Sequence, residues 1–257
     1  MIAGTRLAGS AFGRGDATPL IFVHGVGSTA AIWDYQLESF GSERLCAAIE
    51  LRGNGASKPD PDPSLITREG FAEDVLTVAG ALGARRFTLV GCSLGGVVAF
   101  ELWRNVRDRV AAMVLLGTFA RYPDGERYAE QIAAQAREIG DMRAYGQLRA
   151  AKLGLPPDRL RETIEQFACK SVESFLAATQ ATWTGNYREL LPSIDVPVLV
   201  AYGEHDVVAP RSLAEEIAES IPGAALARIR DAGHVANADN PAVFNGLVRE
   251  FLLTSRK

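Results

Sequence analysis

The feature that most constrains the fold is a series of short apolar runs that alternate with stretches of helical periodicity. Most of these runs end at or near a glycine. The runs are Leu20–Val23, Ala47–Ile49, Phe87–Val90, Met113–Leu116, Val198–Ala201 and Ala225–Ile229. Continuous apolar runs of this length are typical of strands buried on both faces, as in a parallel sheet covered by helices.

Helical patterns lie between the apolar runs. In Phe71–Leu82, apolar residues recur at helical spacing until Gly83 stops the pattern. Leu213–Ile221 has the same character and follows Pro210. Strand and helix repeated in this order predict an α/β fold with a mostly parallel, doubly wound sheet. The segment Met1–Phe12 is predicted to add one or two leading edge strands.

The segment 119–193 interrupts this alternation. It contains mainly helix-forming residues, and no buried-strand pattern reappears until Pro197. We predict a helical cap at 119–193, inserted into a core made of residues 1–118 and 194–257. Long insertions usually carry function, although a helical decoration remote from any site is the alternative.

Composition excludes several classes of function. The chain has 257 residues, a net charge of −4 and no basic cluster, which argues against a nucleic-acid partner. No apolar run approaches the roughly 18 residues of a membrane span. Three widely spaced cysteines form neither a disulfide framework nor a zinc pattern. We therefore expect a soluble, cytoplasmic protein that acts on a small molecule, with its oligomeric state open and a homodimer as one option.

The segment Gly91–Gly95 fits the pattern G-x-S-x-G and has the context that this pattern needs. It follows the run Phe87–Val90 and precedes a helical pattern at Val97–Trp103. A serine on a sharp turn between strand and helix projects its hydroxyl from the edge of the sheet. Ser93 is therefore predicted to be a nucleophile, the alternative being an incidental serine in a glycine-rich turn.

A serine hydroxyl needs a base, and the base needs an acid that orients it. Only His205 and His234 follow Ser93, and His234 comes directly after the last predicted strand. Asp206 follows the strand before it, and catalytic groups gather at the carboxyl ends of parallel strands. We predict Asp206 and His234 as acid and base, with His205 as the alternative base and Glu204 as the alternative acid.

Acyl transfer also needs N–H donors for the developing oxyanion. The N–H of Leu94, the residue after the nucleophile, is predicted to be one donor. The loop after the first apolar run offers Val26 as the second, and neighbouring Gly25 is a candidate substrate contact. His24, in the same loop, is interpreted as a structural histidine.

Five motifs occur in an order that resembles the α/β-hydrolase fold proteins. They are His24–Gly27, Leu51–Ser57, Gly91–Gly96, Gly203–Asp206 and Ala232–His234. The chain looks most similar to the group of 3-oxoadipate enol-lactonases, small carboxylesterases, meta-cleavage product hydrolases and cofactor-free haloperoxidases. The serine at position 93 argues against haloalkane dehalogenases and epoxide hydrolases, which carry aspartate there.

The resemblance implies hydrolysis of a small carboxylic ester or lactone through an acyl-enzyme, with no metal or organic cofactor. Hydrolysis of a carbon–carbon bond in a diketone of the meta-cleavage type is one alternative, and cofactor-free perhydrolysis is another. A small-molecule receptor on the same fold is the alternative outside the enzyme class.

Aromatic residues in and near the predicted cap are candidates to line a substrate pocket. They are Phe119, Tyr122 and Trp183, with Trp33 beside the oxyanion loop. For each of them, ordinary packing is the alternative. Arg121, at the start of the segment, is a candidate to bind a substrate carboxylate, unless it is simply solvated.

Overall fold

A single sheet of seven strands organises the part of the chain that the computed structural model describes, residues 1–57, 62–153 and 157–255. The strands are β1 (Gly9–Phe12), β2 (Leu20–Val23), β3 (Cys46–Ile49), β4 (Phe87–Cys92), β5 (Val110–Leu116), β6 (Val198–Gly203) and β7 (Ala225–Ile229). Their order across the sheet is β1-β3-β2-β4-β5-β6-β7. β1 is antiparallel to β3, and every other pair is parallel. The predicted α/β sheet is confirmed, with one leading edge strand.

The central strands are apolar throughout because both faces of the sheet are covered. Successive side chains of a strand point to opposite faces. On β4, Leu89 belongs to the hydrophobic core on one face, and its neighbour Val90 belongs to the core on the other face. The expectation of burial on both faces is wrong for β7, where Leu226 is 41% exposed, because this strand lies at the edge of the sheet.

The helices fall into two layers and one inserted group. Their bounds are α1 (Asp34–Phe40), α2 (Arg68–Ala81), α3 (Leu94–Val106), α4 (Gly125–Ile139), α5 (Met142–Leu153), α6 (Pro157–Ala168), α7 (Val172–Trp183), α8 (Arg211–Ser220), α9 (Ala236–Asp239) and α10 (Pro241–Thr254). Helices α2, α3 and α8 bury apolar residues in one core, including Val75, Val97 and Ile217. Helices α1 and α10 bury Phe40 and Phe244 in the other. The sheet is therefore doubly wound.

Local sequence features determine where two of these helices begin. Thr67 accepts a hydrogen bond from the Gly70 N–H at 3.0 Å, which satisfies one of the free N–H groups in the first turn of α2. The helix consequently starts at Arg68, before the first apolar residue of its periodic pattern. Pro241 opens α10, where its missing N–H costs nothing.

Helices α4 to α7 lie between β5 and β6, within the segment predicted to be a cap. Helix α4 packs against α7, and α5 packs against α6. Residues 154–156 of this segment lie outside the described residues. The helical content of the segment agrees with the sequence pattern, while its division from the core at residues 119 and 193 stays a prediction.

Among the residues that the structure describes, no helix combines the length and the apolar character needed to cross a membrane.

Candidate active site

The predicted nucleophile lies on a strained turn between β4 and α3. Ser93 has φ 53° and ψ −110°, a region that residues with a side chain seldom adopt. Two glycines make the turn sterically feasible. A Cβ on Gly91 would lie 2.3 Å from the Gly95 carbonyl carbon, and a Cβ on Gly95 would lie 2.3 Å from the Val23 oxygen. The G-x-S-x-G spacing is therefore a packing requirement of this turn.

Hydrogen bonds from the end of β5 hold the turn in place. The Ser93 N–H donates to the Leu116 oxygen at 2.9 Å, and the Thr118 hydroxyl donates to the Ser93 oxygen at 2.8 Å. Sequence reasoning misses Thr118, because its only signal is its position directly after a buried strand. Ser93 itself is 2% exposed, and its Oγ has no hydrogen-bond partner among the described residues.

The predicted acid and base are in contact. His234 Nδ1 lies 2.8 Å from Asp206 Oδ2. The other carboxylate oxygen, Oδ1, accepts the N–H groups of Val208 and Ala209 at 2.8 and 2.9 Å. Because a carboxylate accepts, Nδ1 carries the proton of a neutral His234. Its Nε2 is then the unprotonated nitrogen, as a general base requires.

Gly117, at the end of β5, makes room for this pair. It has φ +52°, and a Cβ there would lie 3.1 Å from Asp206 Oδ2 and 3.2 Å from His234 Nδ1. Asp206 follows β6 and His234 follows β7, so three neighbouring strands contribute to the arrangement. Nothing in the local sequence pattern distinguishes Gly117 from the glycines that end other strands.

A cavity of about 350 Å³ joins the nucleophile to the acid–base pair. Ser93, His234, Gly25, Val26 and Trp183 all line it. The hydroxyl and the imidazole therefore face one space, although no hydrogen bond between them is formed in this structure. Such catalytic hydrogen bonds are often long in ligand-free structures and shorten when substrate binds.

The alternative acid and base are placed differently. Glu204 accepts hydrogen bonds from the Arg228 side chain at 3.0 Å and from the Asp231 N–H at 3.3 Å. His205 is exposed and lies on the cavity wall. The candidate ligand atoms of Glu204, His205 and Asp231 lie within 4.8 Å of one another, and all three residues are exposed. The hydrogen-bond partner of His234 Nδ1 is the Asp206 carboxylate and neither of these two acidic side chains.

Two backbone N–H groups are available as oxyanion donors. A Cβ on Gly25 would lie 3.3 Å from Ser93 Cβ, which shows how closely the loop approaches the nucleophile. Val26 follows in this loop, and Leu94 is the first residue of α3, where N–H groups lack a helical partner. Neither N–H donates to another atom of the described residues. Both are free for a ligand oxygen.

His24 is held as a neutral residue beneath the same loop. It is completely buried, and its Nε2 accepts from the Leu51 N–H at 3.2 Å. Its Nδ1, which must then carry the proton, lies 2.8 Å from the Gly25 oxygen. Burial, and secondarily the charge of Lys170, lowers the pKa of His24 to about 3. This arrangement agrees with a structural role.

The aromatic candidates divide between the cavity wall and the packing behind it. Trp183 lines the cavity. Phe119 stacks on Trp183 with ring centroids 5.1 Å apart, and Tyr122 meets it edge-on at 4.6 Å. Neither Phe119 nor Tyr122 lines the cavity, because both pack behind the indole, and their role as substrate contacts stays a prediction. Burial raises the pKa of Tyr122 to about 12.

Trp33 and Arg121 also lie away from the cavity. Trp33 is fully buried and packs between Phe22 and Phe244, with ring centroids at 5.2 and 6.0 Å. Arg121 is exposed and forms an antiparallel bridge with Asn186. Neither lines the cavity, and a substrate-binding role for Arg121 stays a prediction that this placement does not support.

The loop after β2, which contains Val26, is held by hydrogen bonds from the inserted helices, a contact that no sequence pattern indicates. The Ser28 hydroxyl donates to Gln166 Oε1 at 2.9 Å, and Lys170 Nζ donates to the Ser28 oxygen at 3.0 Å. Gln166 lies on α6, and Lys170 follows that helix. These contacts join residues about 140 positions apart in sequence, so they lie beyond the reach of any local pattern.

Comparison with known proteins places the chain in a family. The model of the Alpha/beta hydrolase family matches residues 20–247. A putative carbamate hydrolase RutD of Azorhizobium caulinodans is 28% identical, covering 93% of this chain and 92% of the relative. 3-oxoadipate enol-lactonase 2 of Acinetobacter baylyi is 26% identical over 92% of this chain and 89% of the relative. Among solved structures, a thermophilic esterase from Thermogutta terrifontis is 28% identical in sequence, with a TM-score of 0.85 over 98% of this chain and 94% of that one. The chain therefore belongs to the Alpha/beta hydrolase family and is a hydrolase.

Proposed function

We propose that the protein hydrolyses a small carboxylic ester or lactone through an acyl-enzyme formed on Ser93. His234 acts as the general base and acid, and Asp206 orients it. The observation that carries the proposal is the 2.8 Å contact between His234 Nδ1 and Asp206 Oδ2, at a cavity that Ser93 also lines. The relatives support it, since they include an enol-lactonase and an esterase.

Acylation follows from the placement of these groups. Ser93 Oγ attacks the carbonyl carbon as its proton passes to His234 Nε2, and Asp206 stabilises the resulting imidazolium. The N–H groups of Val26 and Leu94 donate to the oxyanion of the tetrahedral intermediate. When the intermediate collapses, His234 returns the proton to the leaving alkoxide, and the acyl group stays on Ser93.

Deacylation repeats the sequence with water. His234 Nε2 removes a proton from water, which attacks the acyl-enzyme carbonyl. The same N–H pair stabilises the second oxyanion. Collapse releases the carboxylic acid and restores the Ser93 hydroxyl with the proton held by His234.

We also propose that residues 119–193 act as a cap over the cavity. Each of three inserted helices contributes to the cavity wall: α5 through Arg149, α6 through Phe167 and α7 through Trp183. Because the core contributes Ser93 and His234, substrate would lie between the two parts. The cap would then determine which acyl and alcohol groups are accepted.

A substrate panel with the Ser93→Ala variant tests the proposal. Wild-type protein should hydrolyse p-nitrophenyl acetate or simple lactones, and Ser93→Ala should lose on the order of 10³-fold or more in kcat. The exposed residue Ser64 supplies the matched control, because Ser64→Ala leaves the cavity unchanged. Near-wild-type turnover by Ser93→Ala would refute the proposal. Turnover confined to meta-cleavage diketones would favour carbon–carbon hydrolysis instead.

A further inference from the structure

Three buried polar groups on the inserted helices have no hydrogen-bond partner within the described part of the chain. They are Tyr145 Oη on α5, and Thr179 Oγ1 and Trp183 Nε1 on α7. The three residues are 0%, 1% and 2% exposed. By contrast, Thr182 on the same helix donates to the Ala178 oxygen in the usual way. Buried polar groups are nearly always hydrogen-bonded, so three such donors in one place call for an explanation.

The three residues that carry these groups all line one small chamber. Its volume is about 20 Å³, enough for one water-sized group. Val26 and Arg149 line both this chamber and the main cavity. The chamber therefore adjoins the main cavity beside the proposed oxyanion donor, within the reach of a substrate bound at Ser93.

Arg149 gives this place a positive charge that forms no ion pair within the described part of the chain. It is partly buried, and no hydrogen bond or ion pair of its side chain is formed within the described residues. Glu162 lies on the same cavity wall, but its Oε1 accepts from Gln166 at 3.0 Å. Burial raises the pKa of Tyr145, and the nearby charge of Arg149 opposes that rise.

The donor set selects the chemistry of the ligand. Arginine and the indole N–H can only donate, while the tyrosine and threonine hydroxyls are able to donate. A group that satisfies all four must accept several hydrogen bonds, and a negative charge would balance the guanidinium. A carboxylate oxygen meets both conditions and fits the size of the chamber. The chamber of about 20 Å³ admits one such oxygen, so the rest of the anion would lie in the adjoining main cavity.

We propose that Arg149, Tyr145, Thr179 and Trp183 bind a substrate carboxylate. The substrates are then esters or lactones that carry a free carboxylate remote from the carbonyl attacked by Ser93. This inference rests on the proposed function for the identity of the reacting bond. The carboxylate site itself stands on the chamber and is testable by binding alone.

Binding is measured by titration calorimetry on Ser93→Ala protein, which cannot form the acyl-enzyme. The probes are monoethyl adipate and its neutral amide, ethyl adipamate, together with homologues one carbon shorter and longer. A charge-assisted hydrogen bond of ordinary strength predicts that the best carboxylate binds about 10- to 100-fold more tightly than its amide.

Substitutions then identify the site. Arg149→Met should bring the carboxylate-to-amide ratio of Kd values close to one, and Arg149→Lys should restore part of it. Arg137→Met is the matched control, because Arg137 is an exposed arginine of α4 outside both cavities; it should keep the wild-type ratio. Thermal unfolding of each variant establishes that it is folded.

The outcomes separate the two proposals. Equal Kd values for carboxylate and amide across the series, or a preference that survives Arg149→Met, would overturn the carboxylate site. Ser93-dependent turnover of neutral esters in that case would leave the proposed function standing. A carboxylate preference lost in Arg149→Met supports the site, even if no ester is hydrolysed and the proposed function fails.

Discussion

At the scale of single residues, the two carboxylate oxygens of Asp206 contact different partners. Asp206 Oδ1 accepts two backbone N–H groups of its own loop, while Oδ2 contacts His234 Nδ1. The first set of contacts fixes the orientation of the carboxylate. That orientation in turn determines which nitrogen of His234 carries the proton.

Asp206→Asn should therefore leave the fold intact and remove the base. The amide oxygen can keep the two backbone bonds at Oδ1, which directs its NH₂ group at His234 Nδ1. Nδ1 must then accept, and Nε2 becomes protonated. By analogy with the same exchange in serine proteases, kcat should fall by about 10⁴-fold. Steady-state kinetics on an ester will measure it, with Glu204→Gln as the control; an equal loss in Glu204→Gln would contradict the assignment of the acid.

Gly117→Ala should disturb the acid–base pair. The new Cβ would lie 3.1 Å from Asp206 Oδ2 and 3.2 Å from His234 Nδ1. Gly83→Ala is a matched control, because Gly83 also has positive φ, at +66°, but no heavy atom lies within 4 Å of its Cβ position. Both variants should lose about 1–2 kcal/mol of stability from left-handed strain.

Only Gly117→Ala should also have a lower kcat, by about tenfold or more, because only its new Cβ lies beside Asp206 and His234. Thermal unfolding and ester kinetics on the two variants measure both effects. Equal kcat values for both would show that position 117 acts through strain alone.

The residue scale also shows what can and cannot be predicted from the sequence. The placement of Ser93, Asp206 and His234 at one edge of the sheet is predictable, because each follows a recognisable strand and the ends of parallel strands meet at one edge. Arg149 and Thr179 carry no such signal. Arg149 and Thr179 line the chamber from two different helices. The pattern within one helix does not reveal which other helix it packs against.

At the scale of elements, helix α6 supports the loop that carries a proposed oxyanion donor. Gln166 and Lys170 contact Ser28 by hydrogen bonds of 2.9 and 3.0 Å. Ser28 lies two residues after Val26 in that loop. The inserted helices therefore influence the position of the loop as well as the shape of the cavity.

Ser28→Ala should loosen this support. It removes the hydroxyl that donates to Gln166, a hydrogen bond worth about 1 kcal/mol. If this hydrogen bond keeps the Val26 N–H in position for the oxyanion, its loss should lower kcat by about fivefold, with a smaller change in KM. Ser193→Ala is the control, because it removes hydrogen bonds to Leu190 and Trp103 away from the cavity. Equal kcat values for the two variants would contradict a role for this hydrogen bond.

Most elements can be predicted from the sequence, and the errors have local causes. The periodic pattern of α2 reveals the helix but not its first turn, which Thr67 caps before the apolar residues begin. The apolar composition of β7 suggests a strand buried on both faces. The position of β7 at the edge follows from the order of strands in the sheet, and the spacing of strands along the sequence does not determine that order.

At the scale of the whole molecule, His24 joins the loop after β2 to the segment after β3. Its Nδ1 contacts the Gly25 oxygen, and its Nε2 accepts from the Leu51 N–H. The second contact needs the neutral form, because a protonated Nε2 cannot accept a hydrogen bond. Burial, with a smaller contribution from Lys170, lowers the pKa of His24 from 6.5 to about 3. The folded state thus excludes a proton that the unfolded chain binds below about pH 6.5.

The free energy of unfolding should therefore decrease as pH falls from about 6.5 towards 3, by up to about 1.4 kcal/mol per pH unit from His24 alone. The contribution is fully present above about pH 6.5. Urea unfolding of wild type and His24→Asn at several pH values measures the contribution of His24. The carboxylates titrate in both proteins, so the difference between the two pH dependences isolates the histidine. The variant should show the shallower pH dependence; parallel curves would contradict the linkage.

The main proposal is that His234 and Asp206 together activate the Ser93 hydroxyl as the nucleophile. Reaction with a fluorophosphonate, followed by mass spectrometry of the peptides, tests this claim most directly. We expect a single label on Ser93 and a labelling rate that falls by orders of magnitude in His234→Ala. Label on another serine, or an undiminished rate in His234→Ala, would contradict it.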